Sequence, residues 1–315
     1  MPPKVMLIGH ADQKAQFLEA LDSGRLHHAW LIAGPHGIGK RAFADWAAMT
    51  LLSGQADSPA DHVARALVEA GSHPDHRVLE PPTEGKGSAT HSILIDHVRE
   101  LSEFLHSYPA IAPRRTLIVD SIDDMNTNTS NSFLKELEEP REKTVYLLVS
   151  HSPGRLLPTI RSRCRTLRMS PLSPGETETV LQAQFPELPQ AELASLAQLA
   201  NGAPGSVAAL AGADLTGLET ALSRISGGAD PLQFARSVST AAAGPRFDAL
   251  LTLVPRRLAE AARRNPQPAL FALYDEAQII VRDALHLAYV PAQVALALAD
   301  IMARAGRIQD SGPAR

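Results

Sequence analysis

The chain has 315 residues, 44% of them hydrophobic and 20% charged, which is ordinary globular usage and excludes wholesale disorder and collagen-like or mucin-like structure. Its net charge of -4 gives no global positive field to draw it onto nucleic acid unaided, and its one cysteine, Cys164, excludes an internal disulfide and a four-cysteine zinc site. The length suits two or three domains, and the lack of a long apolar run or of an apolar leader after Met1-Pro2-Pro3-Lys4 leads us to expect a cytoplasmic protein without membrane contact.

In chain order, Ala29–Ala33, Arg77–Glu80, Thr116–Asp120, Thr144–Ser150 and Arg165–Met169 read as strands, with helical patterns at Ile38–Ser53, Ile93–His106 and Asn128–Glu138. Strands alternating with helices are the signature of a parallel α/β sheet with helices on its faces. Pro171-Leu172-Ser173-Pro174 then punctuates the chain, and Thr177–Gln184, Gln190–Asn201 and Gly205–Ala211 read as short helices. Beyond residue 213, apolar residues such as Leu250, Leu251, Leu253 and Leu258 recur at helical spacing, and Pro255, Pro266, Pro268 and Pro291 are expected to divide the helices. The expected division is an α/β domain over 1–170, a small helical lid over 171–212 and an all-helical domain over 213–315, ending in a polar tail from residue 310.

The most specific local signal is Gly34-Pro35-His36-Gly37-Ile38-Gly39-Lys40-Arg41, directly after an apolar strand and opening a helix. It is a nearly complete P-loop. Its glycines let backbone N–H groups turn around phosphates, the helix start adds positive dipole, and Lys40 can reach the terminal phosphates. The Ser or Thr that would ligate magnesium is replaced by Arg41, which is no oxygen ligand, so magnesium is not expected to be well held. The same glycine spacing also fits a dinucleotide loop, but that fold needs an acid about 20 residues further on, and the first candidate, Glu80, comes far too late. The strand ending in Asp120 supplies the acidic half of a nucleotide site. Ser121 follows where hydrolysing AAA+ proteins carry a glutamate, and serine is a poor general base at neutral pH. Asp123 and Asp124 read as a solvated turn or helix cap. Gly34, Gly37, Gly39, Lys40, Arg41 and Asp120 therefore form a degenerate site, expected to hold ATP or ADP weakly and to hydrolyse it poorly or not at all.

A third motif, Leu156-Leu157-Pro158-Thr159-Ile160-Arg161-Ser162-Arg163-Cys164, resembles the Ser-Arg-Cys signature of bacterial clamp-loader subunits. With His27-His28-Ala29, Gly71-Ser72-His73-Pro74-Asp75, Met125-Asn126 and Phe133-Leu134-Lys135-Glu136-Leu137-Glu138-Glu139-Pro140, residues 5–170 are similar to the delta-prime subunits of the DNA polymerase III clamp loader. The resemblance implies an AAA+ P-loop domain, a helical lid and a helical collar that joins a pentameric ring. It also implies gamma/tau ATPase subunits and a delta subunit as partners, with sliding clamp and primed DNA reached through the complex. In this family Arg163 would act as an arginine finger on the neighbour's ATP, while the chain itself turns nothing over. The alternative reading of Arg155, Arg161, Arg163, Arg165 and Arg168 is a solvated basic strip.

Several departures are visible. The insertion at 54–76 lacks the cysteines of a zinc module, so no zinc is expected, and His73 and His76 read as surface residues. Gly202-Ala203-Pro204-Gly205-Ser206 carries no Arg where active relatives place one, and His151, at the position of their phosphate sensor, reads equally as a turn residue. Cys164 reads as a small packing residue. The competing functions are an ATP-hydrolysing clamp-loader subunit and a stand-alone P-loop phosphotransferase.

Overall fold

Five apolar runs, Ala29–Ala33 (β1), His76–Leu79 (β2), Arg115–Val119 (β3), Thr144–Ser150 (β4) and Arg165–Arg168 (β5), pair as one all-parallel sheet in the order β2-β3-β4-β1-β5. The computed structural model describes residues 7–53, 59–81, 92–238, 244–286 and 290–310. Every residue of β1, β3 and β4 is buried, as a parallel sheet covered on both faces requires. Its covering helices are Ala11–Asp22 (α1), Lys40–Ser53 (α2), Pro59–Glu69 (α3), Ile95–Glu100 (α4), Ser102–His106 (α5), Thr127–Glu138 (α6) and Pro158–Ser162 (α7). Phe17, Trp30, Ile32, Phe43 and Val145 fill one layer, and Leu31, Leu117, Phe133, Tyr146 and Ile160 the other. The expected α/β fold class with a P-loop after its first strand is what the chain adopts.

β2 and β3 each run one residue earlier than the apolar pattern suggests. The Asp120 N–H donates the last bond to the Leu79 carbonyl at 2.9 Å, so Glu80 and Asp120 stand just past the strand tips. The helix expected over Ile93–His106 is two helices, α4 and α5, separated at Leu101, whose N–H turns back to the Val98 carbonyl.

The chain divides into two compact units, residues 1–180 with 201–206, and residues 181–200 with 207–315. Pro174–Gln184 (α8) is shared between them. The second unit holds Gln190–Ala200 (α9), Leu215–Ser226 (α10), Pro231–Val238 (α11), Gly244–Arg264 (α12), Pro268–His286 (α13) and Pro291–Asp310 (α14). Its core is almost entirely aliphatic, with Leu218, Leu222, Leu250, Leu258, Leu270 and Leu298 buried. Contrary to expectation, Pro255 lies inside α12. Pro255 and its neighbours Leu250, Leu251, Leu253, Val254 and Leu258 are all buried, and this packing carries the helix through a residue that cannot donate its backbone bond. Pro268 and Pro291 do start helices, where their fixed φ is favourable. The helix expected over Gly205–Ala211 is replaced by two 3-10 turns, Pro204–Ser206 and Ala208–Leu210. The polar tail expected from residue 310 lies, over 311–315, outside the described residues. No helix among the described residues is long and apolar enough to cross a membrane.

His73 and His76 are not surface residues. His73 is buried and accepts the Asp75 N–H on Nδ1 at 3.0 Å, while His76 Nδ1 bonds the Thr116 hydroxyl at 2.8 Å. Burial pushes His76 down to about 4, helped by His73, Arg41 and Arg77, so it is neutral at pH 7. Asp75, which lies between these two histidines, is 0% exposed. It accepts the N–H groups of Ala110, Ile111 and Ala112 at 2.6, 2.8 and 2.9 Å, and pairs with the buried Arg115 at 3.4 Å. Arg115 also donates to the Phe104, Ser107 and Tyr108 carbonyls and lies over the Phe104 ring.

Burial alone would raise the Asp75 carboxyl, but the three amides and Arg115 outweigh it and hold the group below its ordinary value. Its contribution is therefore present above the unfolded carboxylate value and lost as pH falls through the lower folded value. Asp75→Ala strands Arg115 in the interior and is expected to cost about 3 to 5 kcal/mol in urea unfolding. The difference from the unmodified chain should shrink in acid.

Candidate functional site

β1 delivers the chain into the loop 34–39, and α2 begins at Lys40. Gly37 and Gly39 have φ of 78° and 96°, the left-handed region that glycine adopts without strain. Gly37 is needed for a second reason. A side chain there would collide with the backbone nitrogen of Ser206, and the Gly205 N–H donates to the Gly37 carbonyl at 2.9 Å.

Lys40 is buried, and its Nζ donates to the Gly34 and Pro35 carbonyls at 2.8 and 2.6 Å. Burial lowers its amine to about 8, with Asp120 and Asp123 only partly restoring the charge. Arg41 points toward three carboxylates. Its Nε meets Asp45 at 3.0 Å, and its Nη1 meets Glu80 at 3.1 Å and Asp120 at 3.2 Å. Burial would weaken the guanidinium's hold on its proton, yet the acids, Asp45 foremost, push its pKa up. Of the expected phosphate-site residues, Gly34, Gly37, Gly39, Lys40, Arg41 and Asp120 are thus gathered at the tips of β1 and β3.

A magnesium ion does not fit this arrangement. Position 41 offers no oxygen, Asp120 is already paired with a guanidinium, and no group of three His, Cys, Asp or Glu side chains among the described residues is placed to hold a metal. The Ser121 hydroxyl donates to Asp123 at 3.2 Å and offers no base for activating water.

Three contributors were missed by sequence reasoning. Asp123, read as a solvated turn residue, accepts from the Ser150 hydroxyl at 3.0 Å and from the His151 and Ser152 N–H groups at 2.5 and 3.3 Å. It ties the exit of β3 to the exit of β4. His10 Nε2 donates to the Ile38 carbonyl at 2.8 Å, bracing the loop from before α1. Asp45 holds Arg41 from one turn along α2. The i,i+4 spacing of Arg41 and Asp45 was a readable signal, whereas His10 carried none. His151, left between two roles, sets its ring at a tilt to that of His36, 4.8 Å between centroids, with its buried Nδ1 lacking a partner.

Arg163 caps the C-terminal end of α7. Its side chain is 36% exposed, donating to the Thr159 carbonyl at 3.1 Å and pairing with Glu138, the last residue of α6, at 2.7 Å. Both bonds lie at the surface, where such pairs contribute little net stability, about 0 to 1 kcal/mol. Neighbouring Arg165 lies over the Trp30 ring at 4.8 Å, so the basic strip is not uniformly solvated. Cys164 packs against the core, and burial pushes its thiol up to about 12, which makes it unreactive at neutral pH.

The family described as DNA polymerase III, delta subunit, matches residues 9–173 of this chain. The DNA polymerase III subunit delta' of Pseudomonas aeruginosa is 45% identical over 140 residues, which is 44% of this chain and 41% of that protein. The subunit delta' of Bacillus subtilis is 34% identical over 167 residues, 52% of this chain and 49% of that one. The matched region therefore spans less than half the length of these curated relatives. Among solved structures, a DNA polymerase III gamma-subunit-related protein from Thermotoga maritima aligns with a TM-score of 0.46 and 19% identity, over 92% of this chain and 100% of that chain.

Because Asp123 satisfies two backbone amides and two hydroxyls, Asp123→Ala is expected to cost about 1 to 3 kcal/mol in urea unfolding. Asp124→Ala loses one long bond from the Ser121 N–H, at 3.4 Å, and should change the midpoint much less. Equal losses from the two substitutions would contradict the structural role of Asp123.

Proposed function

The chain belongs to the DNA polymerase III delta-subunit family, and from that membership we propose that it works as a delta-prime subunit of a clamp-loader complex. In this reading it assembles with gamma/tau ATPase subunits and a delta subunit in the cytoplasm, and the complex places a sliding clamp on primed DNA. The division into an AAA+ domain over 1–170, a lid over 171–212 and a collar over 213–315 belongs to the same proposal, with the collar joining the ring.

The observation that carries the proposal is the contrast between the two ends of the α/β unit. At the loop, the magnesium-ligating hydroxyl is replaced by Arg41 and the water-activating carboxylate by Ser121, which supports a subunit that does not hydrolyse nucleotide itself. At the end of α7, Arg163 presents a guanidinium that is one-third exposed and held by surface bonds to Thr159, Ser162 and Glu138. A planar, permanently charged fork suits the neutralisation of charge on a phosphoryl group in transfer, so Arg163 serves as an arginine finger for a neighbouring subunit's ATP. To do so it exchanges the Glu138 carboxylate for phosphate oxygens, a swap that a weak surface pair permits.

The test is a clamp loader reconstituted from this chain and its ATPase and delta partners. Arg163→Ala is expected to lower turnover at the adjoining site by on the order of 10³ to 10⁵ while leaving assembly on size-exclusion chromatography intact. Arg163→Lys should not restore the rate, since an ammonium lacks the fork geometry. Unchanged turnover with Arg163→Ala would overturn the finger, and substantial ATP hydrolysis by the chain alone, abolished by Lys40→Ala, would overturn the non-hydrolysing role.

A further inference from the structure

The groups that hold the Arg163 side chain are not alike. The Thr159 carbonyl and the Ser162 hydroxyl, 3.1 and 3.5 Å from Nη1, belong to α7 itself and travel with the arginine. Glu138 comes from another helix. Its Oε1 accepts from Nη2 at 2.7 Å, the shortest of the three bonds and the one between opposite charges. Both ends of this pair are rooted below the surface. Leu137, just before Glu138, and Ile160, in the turn that leads to Arg163, are buried in the same core layer, and Cys164 packs against it. His28 Nε2 donates to the Leu137 carbonyl at 3.1 Å and ties the end of α6 to the residue before β1. The fold thus presents the carboxylate to the guanidinium, while the two side chains themselves lie 47% and 36% exposed.

We propose that Glu138 is a positioning residue for Arg163, holding the guanidinium at rest and yielding it only to the terminal phosphate of a neighbouring subunit's ATP. The inference rests on the reading of Arg163 as a finger and adds the residue that restrains it. A guanidinium meets a carboxylate and a phosphate through the same N–H fork, and here Nη1 and Nη2 are both engaged within the subunit. A phosphate that takes both ends of the fork must first displace Glu138. The terminal phosphate of ATP has more charge and more acceptor oxygens than a carboxylate, so it wins the exchange. ADP has no phosphate at that position and leaves the pair intact. Because the pair is exposed, its restraint amounts to a few-fold in engagement of the finger. Until the exchange occurs, the same contact keeps a long side chain with many rotamers in one place.

The experiment measures ATP turnover, and its inhibition by ADP, in the reconstituted clamp loader carrying Glu138→Gln. This change keeps the shape and an acceptor oxygen but removes the charge. It is expected to raise kcat/KM for ATP at the adjoining site by about twofold to fivefold. The inhibition constant of ADP should stay within about twofold, since ADP does not compete for the fork. Glu138→Asp keeps the charge on a shorter side chain and should give a smaller rise; it carries the same test if the glutamine variant folds poorly. With Arg163→Ala in place, the residual turnover should not respond to Glu138→Gln. An unchanged or lowered kcat/KM overturns the proposal. So does an equal change in ADP inhibition, or a response that persists without Arg163, either of which marks a role in the fold alone. The finger itself is decided separately by Arg163→Ala: if that substitution abolishes turnover while Glu138→Gln does nothing, the restraint is lost and the finger stands.

Discussion

Two charged side chains stitch together the carboxyl ends of four parallel strands. Arg41, entering from the helix that follows β1, reaches Glu80 past β2 and Asp120 past β3, while Asp123 spans from β3 to the Ser150, His151 and Ser152 segment that ends β4. Parallel strands place these tips side by side whatever the sequence, because all four run the same way. What the sequence adds is a set of bonds that holds the tips in register. The shape of the phosphate loop follows from this, since Lys40 and His10 fasten it to its own carbonyls.

The same economy explains why the site is polarised. Where a hydrolysing P-loop protein carries a hydroxyl, this chain carries a guanidinium held by three carboxylates. The segment at 201–206 brings backbone, and no arginine, to the loop. Arg163, by contrast, is left near solvent with one weak carboxylate partner.

Much of this was legible in the amino-acid order because the relevant signals are local. Apolar runs gave the strands, glycine spacing gave the loop, and the lack of an acid about 20 residues further on separated a phosphate site from a dinucleotide site. What escaped was set by partners far along the chain. Asp75 sits in a noticed motif, yet its amides are 35 to 37 residues away, so nothing near it signals burial. His73 and His76 went with it, because a histidine beside a buried aspartate looks the same on paper as one in water. Pro255 was misjudged for a different reason. Local propensity says break, and only the aliphatic packing around it says continue.

The meeting of Gly37 and Gly205 has one more implication. Backbone meets backbone there, with no room for a side chain at either glycine. The Gly205 N–H bond to the Gly37 carbonyl joins the two segments main chain to main chain, so a residue larger than glycine at either position would force them apart.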